Sequence, residues 1–354
     1  MVQFRLCPLD RAEASIESLA CWELTSFFLG SSAPLDIDLD REQAVDWYIR
    51  NEVPSNDRSD YSNEPQIAED EMLDRFETSL VELVAVRQEV LGENYPFTID
   101  SGRILSRKSD ERITIAGLSY LTLQFYRAAR GGLVEFAGDT DADAREGKRI
   151  FRDTFEKSFE LIASYAVSIH KAGVPHLLSD CRGYLRLHSR LEKICKRLGA
   201  GQVLPHQQWN VIQRAANDGG VDCVVHVGAP NMPGNAHLLL LGATVQEDRI
   251  DRKIMGPEAL EKFSRFFVEK PAGFQGALAR PQDEDALTKA KCVDKDCLLY
   301  SYEEILNCLG RMPAENLTKT REYTFLVSSI HRILSELKGA IYIHNYDKHQ
   351  AFQN

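Results

Sequence analysis

Residues 217–246 read NDGGVDCVVHVGAPNMPGNAHLLLLGATVQ. Two apolar runs, 221–228 and 237–246, flank a loop rich in Gly, Pro and Asn, the pattern of two buried strands joined by a turn region. A single acid, Asp222, stands at the foot of the first strand. With Gly228 placed opposite His237, Asp222 faces residue 243; a slip of one residue gives 242 or 244. Divalent-metal chemistry at Asp222 would need its second ligand there. A magnesium ion takes hard oxygen ligands, and the charged transition state needs a cation or hydrogen-bond donors beside it. Along that strand Ala243 supplies no ligand, Thr244 only a neutral oxygen and Val245 no charge.

The rest of the chain bounds the question. Its 354 residues suit two domains, and its 44% apolar and 27% charged content is ordinary for a globular protein. No apolar run reaches the roughly 18 residues of a membrane span. The start, MVQFRLCPLDRAEAS, carries no apolar signal core. Eight scattered cysteines in apolar contexts read as reduced, so a cytoplasmic protein is expected. The net charge of −11 argues against broad coating of nucleic acid. That charge is concentrated, however: residues 35–84 hold fifteen Asp or Glu, four Arg and no Lys. The remainder is close to neutral and has room for a local basic face.

Periodicity places the elements. A helix is expected within 1–30, another around 40–51, and an acidic loop at 52–68. The apolar stripe Leu73, Phe76, Leu80, Leu83 and Val84 predicts a helix over 69–91, stopped by Gly92. Residues 115–129 are apolar almost all round and read as a central helix. A linker then precedes a second domain near 147, with helices at 149–170 and 182–198. The strand pair follows, then a helix opening at Pro257 and running to about 269, helices at 302–309 and 321–337, and a last strand in AIYIHNY. The expected division is 1–146, mainly helical, and 147–354, a small mixed sheet covered by helices.

Four stretches carry a resemblance to the PD-(D/E)XK superfamily of restriction-endonuclease-like proteins, and within it to a group of bacterial phage-defence-associated proteins. LGENYPF (91–97), with the helix bearing Tyr120 and Tyr126, resembles that group's N-terminal helical region. SFELIASYAV (158–167) resembles the first helix of the nuclease core, with Glu160 as its acid. NDGGVDCVV resembles the metal-binding Asp motif, and LLLLGATV resembles the strand that carries the acid or amide and the lysine. A helix and EKPAGFQGALARP (269–281) complete the match. The resemblance implies an α/β fold with a restriction-endonuclease-like core, a Mg²⁺ site at Asp222, DNA as a possible ligand, and a protein partner from the same defence operon. Ala243 then falls at the acid position and Val245 at the lysine position. Three readings stay open: a dead site kept for binding, a site rebuilt from Glu160, Asp222 and Gln246 or Glu247, or Asp222 as a plain turn cap after two glycines. Lys253 could reach the site only if the following loop folds back over it.

Other features divide the same way. Glu160 also reads as a boundary carboxylate on an amphipathic helix. In 182–198, Arg182, Arg186, Arg190, Lys193 and Arg197 recur at spacings of 4, 4, 3 and 4, opposite an apolar stripe of Tyr184, Leu187, Leu191, Ile194 and Leu198. Guanidinium groups in a row suit a phosphate backbone; the alternatives are an acidic protein surface and an ordinary solvated face. Asp139, Asp141 and Asp143 lack the Gly and Glu that an EF-hand calcium loop needs at its sixth and twelfth positions, where Ala144 and Ile150 stand. Cys292 and Cys297, with Cys308, are too few soft ligands for zinc. Nucleotide-binding glycine loops, zincin and esterase motifs are missing.

Overall fold

The computed structural model describes residues 3–6, 16–29, 32–34, 65–100, 104–109, 112–130, 134–137, 141–178, 183–210, 220–228, 237–246, 249–282, 285–312, 328 and 341–343. The chain divides into two compact units, Met1–Asp153 with Ala314–Asn354, and Thr154–Pro313.

The first unit contains β1 (Gln3–Leu6), α1 (Ile16–Leu29), β2 (Ser32–Pro34), α2 (Pro65–Leu91), β3 (Phe97–Asp100), β4 (Ile104–Arg107), α3 (Ile115–Arg130) and β5 (Val134–Ala137). Next comes α4 (Asp141–His170), which contains the boundary. Pro65 opens α2, a position where its missing N–H costs nothing, so 65–68 are helical rather than loop. Gly92 ends the helix in the left-handed region at φ 54°. The helix expected at 40–51 and the loop up to 64 lie outside the described residues. Both α1 and α3 bury apolar side chains such as Leu19, Leu24, Leu121 and Phe125. Between them Glu23 is fully buried. Its carboxylate accepts from the Tyr95 hydroxyl at 2.6 Å, the Tyr120 hydroxyl at 2.7 Å and the Gln124 amide at 2.5 Å.

The second unit continues with β6 (Val174–Leu177), α5 (Tyr184–Leu198), β7 (Gln202–Val203), β8 (Cys223–Val227), β9 (His237–Ala243), α6 (Ile250–Lys253), α7 (Pro257–Ser264), β10 (Phe267–Glu269), β11 (Gly273–Ala279), α8 (Ala286–Asp294), β12 (Cys297–Tyr300) and α9 (Tyr302–Gly310). Its five-stranded mixed sheet has the order β12-β11-β9-β8-β6. Strands β9, β11 and β12 run parallel, while β8 is antiparallel to both β9 and β6. Parallel neighbours need a crossover, and α7 and α8 supply the two. The edge strand β6 carries Pro175, paired with Val225 of β8. The chain is thus a mixed α/β protein, and among the described residues no helix is long and apolar enough to cross a membrane.

Burial on both faces explains why β8 and β9 read as unbroken apolar runs. On one face Val224, Leu238, Leu240 and Leu278 join Leu187, Leu191 and Ile194 of α5, Phe263 of α7 and Trp209 in a single core. The opposite face meets α4, where the Cys223 thiol bonds the Ser164 side chain.

Other boundaries also differ from the sequence reading. Helix α4 starts at Asp141, not 149, and the division between units falls after Asp153 rather than 146. Acids in the first turn favour a helix N-terminus, so DADAREG extends the helix instead of linking domains. Helix α7 ends at Ser264 because Phe267 leaves to pair with Val203 in a two-stranded ribbon, β10 with β7. The strand in AIYIHNY is β13 (Ile341–Ile343). It lies parallel to β1 in the first unit, and 314–354 groups there. A short strand's own sequence does not name its partner. The helical reading of 321–337 lies outside the described residues apart from Ser328.

Candidate functional site

The hairpin forms with Val227, not Gly228, opposite His237. Asp222 therefore stands one step beyond the Cys223–Leu241 pair, opposite Gly242, and its N–H donates to the Leu241 carbonyl at 3.0 Å. In this register His226 lies opposite Leu238, next to the Val227–His237 pair. At the far side, the Leu178 N–H donates to the Asp222 carbonyl at 2.8 Å, so both neighbouring segments fix this residue's backbone.

The Asp222 side chain is 2% exposed, and its carboxylate is closely engaged. The Ala243 N–H donates to Oδ2 at 2.8 Å. The Lys253 ammonium donates to Oδ1 at 2.6 Å and to Oδ2 at 2.7 Å. The lysine thus arrives from α6, the segment after the loop, while Val245 and Ala243 are buried apolar side chains. An ion pair of this kind satisfies a carboxylate that burial would otherwise penalise by several kcal/mol.

Two glycines allow that arrival. A Cβ built on Gly242 of β9 would come within 2.2 Å of the Lys253 carbonyl oxygen. One on Gly276 of β11 would come within 1.6 Å of the Met255 carbonyl oxygen. The backbone of 253–255 therefore lies directly on the sheet, seated where two adjacent strands have no side chain. Buried Ile254 and Met255 belong to the core on this face. On the outside, the Lys291 ammonium donates to Asp251 at 2.9 Å.

The remaining sequence candidates lie elsewhere along α4 and the end of β9. Glu160 lies on α4, and its charge, like that of Asp222, bears on the Cys223 thiol. Burial first, then those two charges, push the thiol up to about 12 against the hydrogen bonds that lower it. Gln246 turns to α4 as well, but to a different acid: its amide donates to Glu156, one helical turn before Glu160. Arg249 stands 4.0 Å from the other oxygen of Glu156. Thr244 accepts from the Gln246 N–H at 3.1 Å, so its hydroxyl shapes the turn. Glu247, Asp248 and Arg182 lie outside the described residues. Elsewhere Cys292 lies against Cys297, whose thiol is pushed far above its ordinary range by that neighbour and then by burial.

Among the described residues the donor set does not fit the Mg²⁺ that the resemblance implies. The one acid at the hairpin has both oxygens committed, and among the described residues no three His, Cys, Asp or Glu converge to hold a metal ion. The signal for Lys253 was present in the sequence: isolated glycines inside apolar strands mark a close backbone approach. Gly242 and Gly276 both have this meaning.

No family model matches the chain, and no curated protein matches it. Among solved structures, the MspJI restriction endonuclease in complex with a 27-mer oligonucleotide aligns over 60% of this chain, at 14% identity and a TM-score of 0.25. The alignment spans 40% of that protein's length. A likeness at this level leaves the fold of the second unit to its own topology.

Proposed function

We propose that the second unit has a restriction-endonuclease-like core whose hydrolytic site is impaired, and that the protein binds nucleic acid, or a partner protein, without cutting. The order of elements supports the fold. Helix α4 with Glu160, antiparallel β6, β8 and β9 with Asp222, then a helix and the parallel strand β11 follow the order in which the resemblance sets its motifs. The anti-phage setting and an operon partner are part of this proposal by the same resemblance.

The observation that carries binding is the outer face of α5. Leu187, Leu191, Ile194 and Leu198 are buried in the core, which turns Arg186, Lys193 and Arg197 to solvent with Arg190 half-buried beside them. Such a row neutralises successive phosphates and releases their counterions, so affinity would fall steeply with salt. Arg186→Glu with Arg190→Glu is expected to weaken binding of duplex DNA at least about tenfold in fluorescence anisotropy, and to reduce the salt slope by about two. Unchanged affinity and slope would move the binding role to a protein partner.

One observation favours a second reading, an active Mg²⁺-dependent deoxyribonuclease with a rearranged site of Asp222, Glu160 and Gln246. Lys253 brings to Asp222 the ammonium group that the second strand lacks. Plasmid nicking in Mg²⁺ or Mn²⁺ that vanishes in Asp222→Ala would establish that reading and reject the non-cutting one.

A further inference from the structure

We propose that Lys253 is the resident cation of this fold: its ammonium takes, permanently, the place beside Asp222 where a divalent ion would otherwise sit. The inference rests on reading Asp222 as the cation-binding acid of a nuclease-like core. It follows from three features. The carboxylate is buried, and both oxygens receive the ammonium within 2.7 Å, so the pair is neutral and closed. The backbone that delivers the lysine is clamped, because Gly242 and Gly276 let it lie against the sheet and Ile254 and Met255 anchor it in the core. The position opposite Asp222 belongs to Gly242 and Ala243, which bring no oxygen from a side chain, so in the lysine's absence a divalent ion would rest on Asp222 and water alone and bind only at millimolar concentration.

An ammonium on a short clamped segment and a divalent ion cannot share one carboxylate at these distances. Lys253 therefore behaves as part of the core rather than as a side chain waiting for a substrate. Its head is held by Asp222, while its side chain keeps 20% of its surface exposed. The protein should fold and hold its shape without any metal, and it should acquire a metal response only when the lysine is removed.

Thermal unfolding of the full chain tests this in three forms, each with EDTA or millimolar MnCl₂. The unsubstituted protein is expected to melt at one temperature in both. Lys253→Met should melt roughly 10 °C lower in EDTA, the scale for breaking a buried pair in a unit of this size, and should recover part of that loss in Mn²⁺. Asp222→Asn combined with Lys253→Met should melt above Lys253→Met in EDTA and ignore Mn²⁺, since no buried charge is left alone. A Lys253→Met protein that melts with the unsubstituted one, or that is indifferent to Mn²⁺, overturns the proposal. So does an unsubstituted protein whose melting rises in Mn²⁺ through Asp222. Where the variants do not fold, amine acetylation of the unsubstituted protein decides: Lys253 should react far more slowly than the exposed Lys193, with or without Mn²⁺, and equal rates would refute the clamp. None of these readouts depends on DNA binding through α5 or on cleavage, so failure here is distinct from failure of the proposed function.

Discussion

Gly276→Ala is expected to cost the second unit about 3 kcal/mol or more, while Gly273→Ala on the same strand should change stability by less than about 1 kcal/mol. The contrast is purely local. The new methyl at 276 would meet the Met255 carbonyl oxygen at 1.6 Å, and that oxygen is backbone, with no flexible end to move aside. At 273 nothing lies within 4 Å of the added carbon. Relief at 276 requires lifting 253–255 off β11, which also draws Lys253 from Asp222. The two losses should therefore overlap: the Gly276→Ala, Lys253→Met double variant should lose less than the sum of the singles, as expected for neighbours that share one structural element. Urea unfolding followed by circular dichroism measures the four variants against the unsubstituted protein. Equal midpoints for Gly276→Ala and Gly273→Ala would mean that the segment does not lie on the sheet as described.

The second large effect is a pH dependence set by Glu23. Full burial pushes its carboxyl up to about 7 from 4.5, against the pull of Gln124, Tyr95, Tyr120 and the Arg87 charge. The folded state therefore holds this proton more tightly than the unfolded chain does. The stability it contributes is complete below about pH 4.5 and is lost as the pH rises to 7, a change of roughly 3 kcal/mol. Glu23→Gln removes the titration and should flatten this part of the profile. Hydrogen exchange of α1 and α3 amides between pH 5 and 8, corrected for intrinsic rates, reports the first unit by itself. A slope that survives in Glu23→Gln would place the titrating group elsewhere.

Much of the second unit was legible because its patterns are strong. The alternating stripes of 184–198 fixed both faces of α5, and the leucine run of β9 could only be a strand covered on each side. Pro257 marked the start of α7. The register of the hairpin was not legible: its loop offers several ways to close, and a shift of one residue moved Asp222 from Ala243 to Gly242. In the sequence, Lys253 could reach the site only if the following loop folded back over it. What the linear pattern could not express was the reason for its delivery, two glycines thirty-four positions apart in the chain that become neighbours only when β9 and β11 pair. Gln246 shows the converse. Its place in the sequence suggested company for Asp222, whereas in space it bonds Glu156.

The proline in β6 has a consequence for assembly. A sheet grows sideways by main-chain pairing, and its outermost strand is where a second molecule could add itself. Pro175, at the second of four positions in that strand, has no amide hydrogen to give, and it interrupts the row of donors such an addition would need. Edge-to-edge stacking of copies through β6 is therefore disfavoured from the start, which leaves β12 as the edge of this sheet where main-chain pairing is not blocked in this way.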